Sequence, residues 1–336
     1  LKSPAVKEML SLSQDLESRY AEGENDQEGH VKERHYQGQK YITKIENCAA
    51  DLMKNVFGCN WIDVRLVSGT HANLATFKGL SLATKNNRMV VAPLRCGAHI
   101  SHDYTGLAGS VIGLETINHA YDLNELNIDP VKSATIIEAT RPGIVTFGGS
   151  LFQFPHPVKE LAEVAKEAGA YVVYDGAHVL GLIAGGQFQD PFKEGADFIT
   201  ASTHKTFPGP QGGVILANSG DERMKKAIKR VQNAVFPLTT SNTHLGRLPA
   251  LGLVALEMKL YGAELAKQTV KNAQTAGEYL FENGLKVLGE KNGFTRSHQI
   301  AVDVQDYGGG RKVAESLEEA HIILNKNLLP YDDQHN

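Results

Sequence analysis

Between positions 61 and 216 short apolar runs alternate with segments of helical period, and no other feature restricts the fold as much. The runs at 61–66, 88–92, 134–139, 143–147, 170–174, 198–201 and 214–216 read as strands. AYVVY at 170–174 is apolar at both parities, as a strand covered on both faces requires. Residues 72–83 and 158–168 read as helices, the latter with apolar residues spaced i, i+3, i+4. Such alternation implies an α/β fold, a mostly parallel sheet with helices on both sides. Before it, Ser3 and Pro4 are placed to start a helix over 3–20. The polar stretch 23–34 reads as a loop, and 41–57 as a helix ended by Gly58. After about 243 the pattern changes to two long helices (245–261 and 263–283), a strand-like 295–304 and a helix over 312–320. At ~150 residues per domain, 336 residues suit one large and one small domain. The expected division is an N-terminal helical arm at 1–18, a large domain at 19–243 and a smaller α+β domain at 244–336.

Composition narrows the function. With 34 basic and 38 acidic residues the net charge is −4, without the basic surplus of a nucleic-acid binder. No apolar run reaches the ~20 residues that span a bilayer, so neither nucleic acid nor membrane is expected as a partner. The three cysteines, Cys48, Cys59 and Cys96, fit neither a zinc site nor a CxxC pair. Mostly buried, reduced thiols in a cytoplasmic protein are expected, with no bound metal.

The chemistry concentrates in residues 174–213. Asp175 follows a buried strand, and Lys205 follows the strand-like FITAS with Thr203, His204 and Thr206 around it and a glycine-rich turn next. In open α/β sheets ligands gather at the carboxyl ends of strands, so the acid and the lysine can face one pocket. Pyridoxal phosphate (PLP) enzymes need this pair, a lysine to form the Schiff base and an acid to keep the pyridine nitrogen protonated. Taken singly, each residue has a plainer explanation, a turn-forming Asp and a solvated Lys. Only the joint pattern is telling. Ser68-Gly69-Thr70, between a strand and a helix, offers backbone N–H groups for a phosphate, though it is equally an ordinary helix cap.

DGAHVLGLIAG, ASTHKTFPGPQGG, SGTHAN, GAHISH and YAEG resemble serine hydroxymethyltransferases, PLP enzymes of fold type I, and are nearer to archaeal members. The resemblance runs from SPAVKEML to LLPYDDQHN. It implies PLP as cofactor, with Lys205 as the Schiff-base lysine, Asp175 on the pyridinium and His178 on the O3′ side. It further implies Ser68, Gly69 and Thr70 at the phosphate, His99 on the ring face with His102 as its neighbour, Ser150 near the cofactor hydroxyl and His204 shaping the lysine loop. Glu22 becomes the acid/base for the substrate hydroxyl. Tyr20 and Tyr36 would reach into a partner's site, making the protein a homodimer or tetramer. Surface or satisfied-core roles are expected for His30, His71, His119 and the remaining histidines. The implied reaction interconverts serine and glycine, the hydroxymethyl group passing to a reduced pterin, tetrahydrofolate or tetrahydromethanopterin.

Three departures qualify it. The link from Glu22 to Tyr36 is longer than the family's, with His35 in place of a tyrosine. Leu238-Thr239-Thr240 follows Phe236-Pro237 where the family carries glycines for the partner's phosphate site, and Gln211 stands where bacterial members have arginine. The chain also looks short at both ends, lacking the arginine that grips the substrate carboxylate. If the protein ended there, it would bind PLP but handle amino acids poorly. The changed link keeps open a threonine aldolase or transaldolase that works without folate. A silent PLP-fold scaffold is disfavoured by the intact Lys205 and Asp175.

Overall fold

A computed structural model describes residues 2–332, so the last four residues of LLPYDDQHN lie outside the described residues. Seven strands form the central sheet: β1 (Trp61–Asp63), β2 (Arg88–Val91), β3 (Glu115–Asn118), β4 (Ile144–Gly148), β5 (Tyr171–Asp175), β6 (Phe198–Ser202) and β7 (Gly213–Ala217). Their order is β1-β7-β6-β5-β4-β2-β3. Every pairing is parallel except those of β7, which runs antiparallel to β6 and to β1. The mostly parallel sheet is therefore as expected, although its edge strand β3 is not among the expected runs.

The helices are α1 (Pro4–Leu12), α2 (Lys40–Phe57), α3 (Gly69–Thr84), α4 (Pro130–Thr140), α5 (Val158–Glu167), α6 (Leu180–Ala184), α7 (Glu222–Asn233), α8 (Arg247–Glu282) and α9 (Gly309–Glu319). Every residue of β4 to β7 is buried. Strand alternation divides them between two cores. Tyr171, Val173, Phe198 and Ile215 join Phe77 and Leu80 of α3 and Ile228 and Val231 of α7. Val172, Tyr174, Ile199 and Leu216 join Met53 of α2, Leu161 of α5 and Leu251 of α8. Each large apolar side chain buried this way stabilises the fold by roughly 1.5–3 kcal/mol.

Several local expectations are corrected. Residues 134–139 are not a strand but the body of α4. Asp129 caps that helix by accepting from the Lys132 N–H, and Pro130 opens it, an N-terminal signature that outweighs the β-branched run. The 3–20 helix starts as expected, with the Ser3 hydroxyl accepting from Val6 N, but ends at Leu12 and is followed by a 3-10 turn, Gln14–Ser18. The polar 23–34 stretch is a β-hairpin, Gly23–Asn25 against Val31–Arg34. β1 ends at Asp63, three residues early, and within 295–304 only Val302–Asp303 is a strand, paired with Lys286–Val287.

The two long helices are one. α8 runs 36 residues through Gly262. That glycine lies where α6 crosses α8, and a Cβ on the facing Gly185 would come within 2.4 Å of the Gly262 carbonyl oxygen. Close backbone approach explains a glycine that the sequence pattern presents as a break. Among the described residues no helix is long and apolar enough to cross a membrane.

Candidate active site

The carboxyl ends of β1, β2, β4, β5 and β6, with the segments that follow them, surround a cleft of about 170 Å³. Its walls include Ser68, Gly69, Thr70, His99, Ser150, Asp175, His178, His204 and Lys205, which the sequence singled out, together with Asn73 and Gln211. Glycines let the segments close on one another. A Cβ on Gly69 would meet Ser202 Oγ at 2.5 Å, and one on Gly148 (φ +80°) would meet the Asp175 carbonyl oxygen at 2.1 Å. The start of α3 thereby reaches the end of β6, aiming the first N–H groups of a 16-residue helix at the cleft.

Asp175 is 2% exposed. Its Oδ2 accepts from Asn73 Nδ2 (2.8 Å) and His102 Nε2 (2.8 Å), and its Oδ1 from Ala177 N (3.0 Å). Burial alone would raise its pKa. The hydrogen bond and charge of His102, with the donors of Asn73 and Ala177, outweigh burial and hold the carboxyl well below the usual range. Asn73 is itself oriented by Thr200, whose hydroxyl donates to Asn73 Oδ1 (2.6 Å). His102 edges onto Phe77 at 5.7 Å. Its Nδ1 has no partner, and because the carboxylate only accepts, Nε2 is the protonated nitrogen.

Across the cleft Lys205 Nζ lies 3.0 Å from His178 Nε2. Desolvation lowers the lysine's pKa against the opposing charge of Asp175, enlarging the neutral fraction that is nucleophilic. Desolvation and then Lys205 push His178 down to about 4. His99 and His204 are lowered too, chiefly by desolvation. The lysine loop is pinned at both ends. Thr206 Oγ1 donates to the His178 carbonyl (2.6 Å), and Thr203 Oγ1 donates to that of Pro210 (2.6 Å).

Glu22, Tyr20 and Tyr36 stand apart from this chain's own cleft. Tyr20 and Tyr36 are exposed and pair at 5.6 Å. The Glu22 carbonyl accepts from His35 N (3.0 Å), and the His35 ring meets Phe236 at 5.5 Å. His71 engages Thr239 (2.9 Å) and Thr240 (3.1 Å), tying those hydroxyls to their own chain.

Sequence reasoning missed Asn73, Thr200, Gln299 and Arg247, and left His102 as a mere neighbour. Asn73 closes the SGTHAN motif and could have been suspected from it. Arg247 carried no signal. Its guanidinium is buried and donates to the carbonyls of Val64, Leu66 and Gly213, bracing the chain that leads into Ser68. Burial pushes it down to about 10, against the charges of Asp63 and Glu46.

A family model described as serine hydroxymethyltransferase matches residues 3–336. This chain belongs to the serine hydroxymethyltransferase family. The serine hydroxymethyltransferase of Picrophilus torridus is 50% identical over 99% of this chain and 74% of its own length. Those of Pyrobaculum calidifontis (48%; 95% of this chain, 71% of the relative) and Thermococcus kodakarensis (52%; 91% and 70%) are similar to it as well. A serine hydroxymethyltransferase is a PLP-dependent transferase of fold type I, and the residues present suit that cofactor. An ionised, acceptor-only carboxylate at the cleft floor suits a protonated ring nitrogen. A helix start too crowded for a Cβ at Gly69 suits a phosphate, and a partly desolvated amine suits an aldehyde carbon.

Proposed function

We propose that this serine hydroxymethyltransferase homologue interconverts serine and glycine and passes the one-carbon unit to a reduced pterin, tetrahydrofolate or tetrahydromethanopterin. The carrying observation is that Asp175, held ionised by His102 and Asn73, shares one cleft with the partly desolvated Lys205. Ser68, Gly69 and Thr70 would hold the PLP phosphate, His99 the ring face, Ser150 and His178 the oxygen side, and Lys205 the carbonyl carbon, in a loop shaped by His204. When bound, PLP supplies the electron sink for the pair left as the Cα–Cβ bond of a β-hydroxy amino acid breaks. Asp175 keeps the ring nitrogen protonated because its own proton affinity is low. Glu22 moves the proton of the substrate hydroxyl. Since Glu22, Tyr20 and Tyr36 lie outside the walls of their own chain's cleft, we assign them to a partner subunit's site, in a homodimer or larger assembly.

The test supplies glycine and an aldehyde with and without tetrahydrofolate. Serine formed from formaldehyde only with the pterin supports the proposal. Pterin-independent aldol product without serine replaces it with the threonine aldolase or transaldolase reading, for which the hairpin between Glu22 and Tyr36 is the structural candidate. Lys205→Ala loses the visible band of bound PLP. Retention of that band overturns the role of Lys205.

A further inference from the structure

Residues 295–299, beyond α8, are stitched to the segment that follows β4. Arg296 N donates to the Gln153 carbonyl (2.9 Å), and Ser297 Oγ to that of Phe152 (3.2 Å). Gln299 ends this seam against Ser150 and His178 of the cleft wall. Its Oε1 accepts from Phe152 N (3.1 Å) and its Nε2 donates to the Ser150 carbonyl (2.8 Å). These two partners fix which way the amide faces. Turned over, it would set oxygen against the Ser150 oxygen and N–H against the Phe152 N–H. The amide nitrogen must therefore point at His178 Nδ1, 3.4 Å away. A nitrogen that meets an N–H donor has to offer its lone pair.

We propose that Gln299 is a positioning residue that holds His178 with its proton on Nε2, so that the ring presents an N–H to the Lys205 side of the cleft and to the oxygen of a bound cofactor. The assignment deepens the proposed function and rests on it for the cofactor alone. The groups facing His178 are Lys205, Asp175, His298 and His99. His298 stacks nearly parallel to it at 6.1 Å. Of the two ring nitrogens, only Nδ1 faces Gln299; Nε2 faces Lys205, whose nitrogen donates as an ammonium and accepts from an Nε2–H only once it is neutral, as it is when bonded to the cofactor. Replacing the glutamine therefore changes the proton's place without touching Lys205 or Asp175.

Long-range 1H–15N NMR of the histidine rings in the PLP-loaded protein, where Lys205 is no longer a free ammonium donating to Nε2, reads the tautomer directly. The His178 signals are identified by their loss in His178→Asn. Wild type should show the Nε2–H form. Gln299→Leu should show a mixture, and Gln299→Glu the Nδ1–H or doubly protonated form. In the PLP-loaded protein, the pH midpoint of the cofactor's visible band should move by about half a unit or more in Gln299→Glu. An Nδ1–H form in wild type, or a wild-type tautomer in both variants, overturns the assignment, and wild type decides it even if a variant fails to fold. A PLP-loaded chain that shows the Nε2–H form but forms no serine from glycine and formaldehyde refutes the proposed function and supports the tautomer assignment.

Discussion

His102→Leu tests whether the carboxylate at the floor of the cleft is held by its donors or by packing. The bond lost is charge-assisted, 2.8 Å long and fully buried, and a hydrogen bond to a charged group contributes about 1.5–3 kcal/mol net. At 1.36 kcal/mol per unit, the Asp175 pKa should rise by about 1–2 units. The folded value lies below the unfolded ~3.9, so ionised Asp175 contributes stability that is complete above about pH 4 and is lost as pH falls through the folded value. In the variant that contribution is smaller, so the stability gap to wild type should be largest near neutrality and shrink in acid. Urea unfolding of both proteins across that range measures the gap, and carbon NMR of the carboxyl reads the pKa. Asn73→Ala should couple to it, because both donors end on Oδ2. An unchanged Asp175 pKa with a gap independent of pH would show that only the contact with Phe77 was lost, refuting the electrostatic reasoning.

Acid should also destabilise the protein through its buried histidines. Burial lowers His119 and His156 to about 3 and His298 to about 4, below the unfolded ~6.5, so the unfolded chain binds their protons first and stability falls as pH drops from about 6.5. His119→Phe, at a ring stacked on Phe147, should flatten that decline in a melting series, and an unchanged slope would contradict it. Gly185→Ala should cost about 1–3 kcal/mol by forcing α6 from α8, and a melting temperature equal to wild type would refute the close crossing.

Buried strands and amphipathic helices were legible because their residues repeat with the period of the element they form. The Asp175 and Lys205 pair was legible because Asp175 ends β5, Lys205 follows β6, and strand ends converge. The 134–139 stretch misled because its β-branched residues carry a strand's local preference, while the Asp129 cap and the packing of Ile137 decided for helix. Gly262 misled because a glycine demanded by a neighbouring backbone looks, in one dimension, like a helix end. By itself the amino-acid sequence determined the sheet class, the family and nine of the cleft's residues, all properties of local pattern and motif. Only the tertiary structure decided what surrounds them: His102, Asn73 and Thr200 behind Asp175, Arg247 on the carbonyls leading into Ser68, and Gln299 against His178. These partners lie as many as 127 and 183 residues apart along the chain, and a hydrogen bond between them leaves no period or spacing in the sequence.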